Sequence, residues 1–273
     1  MRILVTNDDG IDSVGLHHLA RAMVPFGHVV IAAPDSEYSG ASMAFGALHL
    51  MRPEIHRVQV DGVPEAWSVS GPPALCVMFA RMQAFGAPFD LVVSGINPGA
   101  NVGRSVYHSG TIGAAITARN GGIHGIAVSQ DTDIGSIEGQ AWDEMLDNQR
   151  WDSAASVAAA VVAAHVADPP SQPIALNVNV PNRPLGEIHG WRHTAPATLP
   201  IRAMSTIELE PKQGHEGAFR VKLAWGTANE LPVDSDAGAV MAGYVSLTWL
   251  SRIEPAEPVG MDGIGTALDS LLR

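Results

Sequence analysis

Short apolar runs that end abruptly in polar clusters recur along the first two thirds of the chain. The first is Ile3-Leu4-Val5, followed at once by Thr6-Asn7-Asp8-Asp9-Gly10. Consecutive apolar residues without alternation predict a strand buried on both faces, as in a parallel sheet. Leu16, Leu19, Ala20 and Met23 then recur at helical spacing, which predicts a helix from about Ser13 to Val24. His28 to Ala33 predicts a second buried strand, stopped by Pro34, and so the start of a right-handed βαβ unit. Alternation over Leu48 to Val60 and around Trp67 to Val69 predicts short strands that could pair as a hairpin. Pro72 and Pro73 open a helix running to about Ala84. Phe89 to Ser94 is a third buried strand, and it runs into Gly95-Ile96-Asn97-Pro98-Gly99-Ala100-Asn101-Val102-Gly103. Ser109-Gly110-Thr111 precedes an alanine-rich helix, Ile112 to Arg119, where a hydroxyl cap and free N–H groups favour an anion. A strand over Gly125 to Ser129, an acidic connection from Gln130 to Gln149, a helix over Trp151 to Ala167 and a strand over Ile174 to Val180 follow.

The pattern then changes. From Ile188 to Trp225 it alternates like β-hairpins, with turn residues at Gly214 and Gly217. Asp234 to Tyr244 is acidic and rich in small residues, Val245 to Leu250 predicts a strand, and a terminal helix covers about Ile264 to Leu271. The expected division is a core at 1–187 and a lobe at 188–273, with a strand at 244–250 that could return to the core. The β–α alternation predicts an α/β fold around a parallel sheet.

Composition narrows the function. At 273 residues and 46% hydrophobic, the chain can bury a sizeable core. A net charge of −12 argues against duplex nucleic acid as a partner, because phosphate backbones need Lys and Arg. A small phosphate ligand stays open if a metal ion supplies positive charge locally. The single cysteine, Cys76, excludes an intramolecular disulfide and reads as a packing residue in a reducing compartment. The chain begins directly with a strand and has no membrane-length apolar run, so the expected location is cytoplasmic and soluble, with no membrane partner.

Three strand exits, at 7–10, 35–42 and 94–103, carry oxygen-bearing side chains and glycines. In a parallel sheet all three open on one edge, where such folds bind ligands. Two adjacent carboxylates repel unless a proton or cation lies between them, and hard divalent cations take oxygen ligands of this kind. Turn formation is the competing reading of Asn-Asp-Asp-Gly, since these residues favour turns for local reasons. Other chemistry lacks its signatures: there is no G-x-G-x-x-G after the first strand, no Walker-type loop and no G-x-S-x-G elbow. His17-His18 lacks H-E-x-x-H spacing. Asp131-Thr132-Asp133 only faintly resembles the aspartyl phosphatase motif, with Gly135 in place of its Thr or Val, and a solvated acidic loop is the plainer reading.

LVTNDDG at 4–10, APDSEYSGAS at 33–42, SGINPGANVG at 94–103 and HSGTIGAA at 108–115 resemble the SurE survival protein family; GPPALCV at 71–77 and GYVSLTWL at 243–250 resemble two further segments of it. The resemblance implies a Rossmann-like three-layer core and a smaller C-terminal hairpin and helix lobe that builds dimers or tetramers. It implies divalent-metal-dependent hydrolysis of nucleoside 5′- and 3′-monophosphates. Carried over by position, Asp8, Asp9, Ser39 and Asn97 would hold one Mg or Mn ion per subunit, with Asp8 and Asp9 as the catalytic pair. Gly40, Ser42, Asn101, Ser109, Gly110 and Thr111 would bind phosphate. Departures are Glu37 and Tyr38 where the family has Asn-Arg, His108 in place of a tyrosine, and Pro73 and Leu75 at often polar places. They leave open a second reading, a nucleotide-binding regulatory module with little turnover. The sequence does not decide which aspartate is base or nucleophile.

Overall fold

The computed structural model describes residues 1–46, 48–132, 146, 148–254, 257 and 261–272; most of the acidic connection, including Asp133 and Gly135, lies outside them. The first apolar run forms β1 (Arg2–Thr6), and Ile3, Leu4 and Val5 have no exposed surface. Burying each such side chain contributes about 1.5–3 kcal/mol. β1 is followed by α1 (Val14–Met23) and β2 (His28–Pro34). Next come a short helix α2 (Leu48–Met51), the pair β3 (Ile55–Val58) and β4 (Glu65–Val69), and α3 (Pro73–Arg81). Then β5 (Leu91–Pro98), α4 (Gly110–Asn120), β6 (His124–Gln130), α5 (Trp151–Ala167) and β7 (Ala175–Val180) complete the alternating part.

The sheet order is β3-β4-β2-β1-β5-β6-β7, continued by β11 (Val245–Trp249) and β8 (Trp191–His193). Neighbours from β4 to β7 run parallel, whereas β3 pairs antiparallel with β4. Because period-two alternation sends Ile3 and Val5 to one face and Leu4 to the other, each face meets its own helices. Ile3 and Val5 pack with Leu16 and Leu19 of α1 and Ala158 and Val162 of α5. Leu4 packs with Cys76 and Val77 of α3 and Ala114 and Ala118 of α4. The result is the three-layer α/β core read from the sequence.

The C-terminal part contributes to two sheets. β8 (Trp191–His193) and β11 (Val245–Trp249) extend the main sheet, β11 antiparallel to β7 and parallel to β8. β9 (Arg202–Pro211) and β10 (Phe219–Ala228) form a separate antiparallel hairpin, with Gly214 and Gly217 in the turn at positive φ. α6 (Asp236–Met241) and α7 (Met261–Leu271) complete the fold. One element differs from expectation: Leu48–Met51 is a helical turn, not part of a strand. The segment is too short for either periodicity to declare itself.

Candidate metal and phosphate site

The chain runs from β1 to β2 on one side and later returns to β5 on the other, so β1 and β5 flank the topological switch point of the sheet. A crevice opens at the carboxyl ends of the strands there. Asp8 and Asp9 leave β1 at this place, and Asn97 lies near the end of β5. Gly10 turns the chain at φ 102°, and Asn7 Nδ2 donates to its carbonyl at 3.1 Å.

Asp8 is buried and held from two directions. Gly110 N–H at the start of α4 donates to its Oδ2 at 3.1 Å, and the Thr111 hydroxyl donates to its Oδ1. The same hydroxyl lies 3.3 Å from Asn97 Oδ1, linking the two strand exits. Asn97 Nδ2 donates to Gly99 O at 2.7 Å, which leaves its oxygen turned toward Thr111 and the crevice. Residue 110 is glycine for a local reason: a Cβ there would lie 2.8 Å from Asp8 Oδ2 and 2.9 Å from Asp8 Cβ. Ser109 caps α4 by accepting from Ile112 N–H at 3.1 Å, so its own hydroxyl hydrogen stays free for a ligand.

The loop after β2 docks on the same edge. Tyr38 N–H donates to Asp8 O at 2.7 Å, and Ser42 N–H donates to His108 O at 3.1 Å. Gly113 of α4 packs directly against the Ser42 carbonyl, where a side chain would not fit. Ser39 and Gly40 are exposed at the rim. Ser39 is not free there: its N–H donates to Glu37 Oε1 at 3.1 Å, and its hydroxyl donates to the same oxygen. Sequence reading marked Glu37 as a departure but missed this contact, which only the folded loop creates.

Asn101 has a different setting from the one expected of a free phosphate ligand. It is buried, and its Nδ2 donates to Ser129 Oγ at 2.9 Å. Its backbone carbonyl accepts from Asn177 Nδ2 at 2.8 Å and Asn179 Nδ2 at 3.1 Å, and its N–H donates to Asn179 Oδ1 at 2.8 Å. These β7 asparagines pin the glycine-rich loop. Two polar residues at alternate positions of an otherwise apolar strand were the available signal, and sequence reading passed over it.

Electrostatics set the carboxylate pair apart. Burial raises the pKa of Asp8; the Thr111 hydroxyl opposes this and the Glu37 charge adds to it. Asp9 is raised well above the usual carboxylate range, by burial first and then by the charges of Asp8 and Glu37. Its side-chain contact with Asn7 is long, at 3.4 Å. Among the described residues no ion pair involves either aspartate. Asn7 Oδ1 is buried close by without a hydrogen-bond partner. A buried and a half-buried carboxylate beside an orphaned amide oxygen fit a hard divalent cation, which gains oxygen ligands where the protein lacks positive charge. No group of three or more His, Cys, Asp or Glu is gathered among the described residues. An ion here would therefore depend on neutral oxygens and water as well.

Comparison with known proteins identifies the family. The sequence model of the family described as Survival protein SurE matches residues 3–201. A relative from Stenotrophomonas maltophilia named 5′-nucleotidase SurE is 35% identical, over 98% of this chain and 99% of its own. One of the same name from Pseudomonas fluorescens is 38% identical, over 91% of each. The solved structure of the SurE protein from Aquifex aeolicus superposes with a TM-score of 0.72 at 27% identity, covering all of both chains. With full-length relatives, a shared fold and the motif-bearing strand exits on one edge, this chain belongs to the SurE family.

Proposed function

We propose that this chain is a divalent-metal-dependent phosphomonoesterase that hydrolyses nucleoside 5′- and 3′-monophosphates to nucleoside and phosphate. The carrying observation is the pair Asp8–Asp9, both raised in pKa by burial and without a cationic partner among the described residues, with Asp8 held by the start of α4, where Thr111 also reaches Asn97. Asp8, Asp9, Asn97 and Ser39 would hold the ion, with Mg or Mn suited to such oxygens. When bound, that ion would polarise a phosphoryl oxygen and make a bound water more acidic.

The chain's own residues supply the rest. Both Asp8 oxygens accept hydrogen bonds from α4, whereas Asp9 has the long Asn7 contact and its own backbone N–H against the charges of Asp8 and Glu37, so Asp9 would be the more basic carboxylate and the better proton acceptor for water. Ser109, Gly110 and Thr111 would orient the phosphate at the positive end of α4, and Gly40 and Ser42 would close its other side. Asn101, held by β7, would keep the 97–103 loop in place and turn its remaining polar surface to the ligand. A pyrimidine or purine nucleoside needs no net charge from the protein, which is consistent with the chain's −12.

The lobe at 188–273 would serve assembly into a homodimer or homotetramer. The β9–β10 hairpin presents Ile207, Leu209, Phe219 and Val221 to solvent, and exposed apolar faces of this kind mark interfaces. Among the described residues no helix is long and apolar enough to cross a membrane, and a cytoplasmic location remains part of the proposal. Phosphate release from a panel of nucleoside monophosphates with Mn²⁺ or Mg²⁺ is expected, with loss on adding chelator. Binding without release would favour a regulatory module instead.

A further inference from the structure

A cavity of about 900 Å³ begins beside the proposed phosphate cradle and extends along α4. Ser42 and Gly113 line the end nearest the cradle, and Arg119 and Arg252 contribute further along, with Tyr107 and Trp249 among the walls. Gly113 to Arg119 is six residues, or about 9 Å of helix. The cavity is therefore large and long enough for a nucleoside beyond the phosphate.

The two guanidinium groups are unusual. Arg119 is 5% exposed, and burial of an arginine normally comes with a carboxylate partner. Here its acceptors are neutral: Leu250 O at 2.6 Å from Nη1, and Asn120 Oδ1 at 3.2 Å from Nε and 3.0 Å from Nη2. Among the described residues neither Arg119 nor Arg252 forms an ion pair, in a chain with an excess of 12 negative charges. Burial lowers the Arg119 pKa, and the positive charge of Arg252 lowers it further; both residues line the same cavity. An anion placed between them would relieve that repulsion through charge-assisted hydrogen bonds.

We propose that Arg119 and Arg252 bind a phosphoryl group in this cavity, and that its natural source is a nucleotide carrying a second phosphate remote from the one at Asp8 and Asp9. The substrate half of this proposal rests on the nucleotidase reading; the anion site rests on the cavity alone. Tyr107 and Trp249 would flank the base, whose faces stack on aromatic rings.

Initial rates with Mn²⁺ on a nucleoside 5′-monophosphate and on the same nucleoside's 3′,5′-bisphosphate give a ratio of kcat/KM. The bisphosphate is expected to be favoured about tenfold, the size of one charge-assisted contact. Arg252→Ala should bring that ratio close to one, and Arg252→Lys should retain part of it. Arg252 is exposed, so the fold should survive, and thermal melting checks this. Inorganic phosphate titrated into the metal-free chain reads the anion site through the part of its binding that depends on Arg252, and the affinity of that part should fall about tenfold in Arg252→Ala. A wild-type ratio near one overturns the bisphosphate as ligand, in favour of free phosphate if phosphate binding still depends on Arg252. Equal phosphate binding by wild type and Arg252→Ala overturns the site. Failure to release phosphate from either nucleotide, with Arg252-dependent phosphate binding intact, refutes the nucleotidase reading and leaves the anion site supported.

Discussion

Two aspartates whose pKa values burial raises have opposite surroundings. Asp236, at the start of α6, accepts from the backbone N–H groups of Gly103 at 2.8 Å, Ala197 at 2.8 Å and Ala237 at 2.7 Å. Burial raises its pKa, and those three donors act against the rise. Asp9 has a long amide contact and its own backbone N–H beside two neighbouring negative charges, and its pKa is raised with less to oppose it. The same side chain is thus a structural clasp where donors saturate it and, on the proposed function, a cation ligand where they do not. Charge burial is tolerated in the first case through hydrogen bonding, and in the second the proposed metal would offset it.

The contrast is tested most strongly by removing charge at each place. Asp9→Asn or Asp8→Asn should lower metal-stimulated phosphate release at least about a thousandfold. The metal-free fold should survive, because each change removes a like charge; full activity would refute the role given to that residue. Asp236→Ala should instead cost about 3 kcal/mol of stability by stranding three backbone donors, with Asp236→Asn costing less. Denaturant melts measure this, and activity per folded molecule should fall far less than in the Asp8 and Asp9 variants. A smaller effect is expected from Gly110→Ala, whose Cβ would press on Asp8. About a tenfold to hundredfold loss of kcat/KM would follow from displacing that carboxylate.

The pH dependence carries the same contrast. A carboxyl whose folded pKa lies above its unfolded value binds protons more firmly when folded. Stability of the metal-free protein should therefore fall as pH rises from about 4 through the raised values of Asp8 and Asp9, and stay lower above them. Mn²⁺ should restore it at neutral pH and raise Tm, and chelator should reverse the gain. The mildest expected change is Glu37→Gln. It removes one negative charge from an exposed position near the pair, so calorimetry should show a metal Kd weaker by only a few-fold.

The core and most of its elements were legible because local patterns specify them. Ile3-Leu4-Val5 is buried on both faces, and an apolar run followed by polar residues announces that state directly. Three exits on one edge followed from parallel order alone, and the β2-β1-β5 neighbours have that order. Asp236 was not legible, because an acidic residue in the first turn of a helix has an ordinary local use. Its actual partners lie 39 and 133 positions away, at Ala197 and Gly103. The clamp of Asn177 and Asn179 on Asn101 was equally distant in sequence, 76 and 78 positions apart. Glu37 was visible as an oddity of composition, but its hold on Ser39 depends on the turn the loop adopts.

The central claim is that one divalent ion lies against the Asp8–Asp9 pair. Crystals soaked in Mn²⁺ and measured at a wavelength where manganese scatters anomalously test it directly. One anomalous peak per chain is predicted, in coordination contact with Asp8, Asp9 and Asn97 oxygens and lost in Asp9→Asn. No peak there, or an equal peak in the variant, would contradict the account.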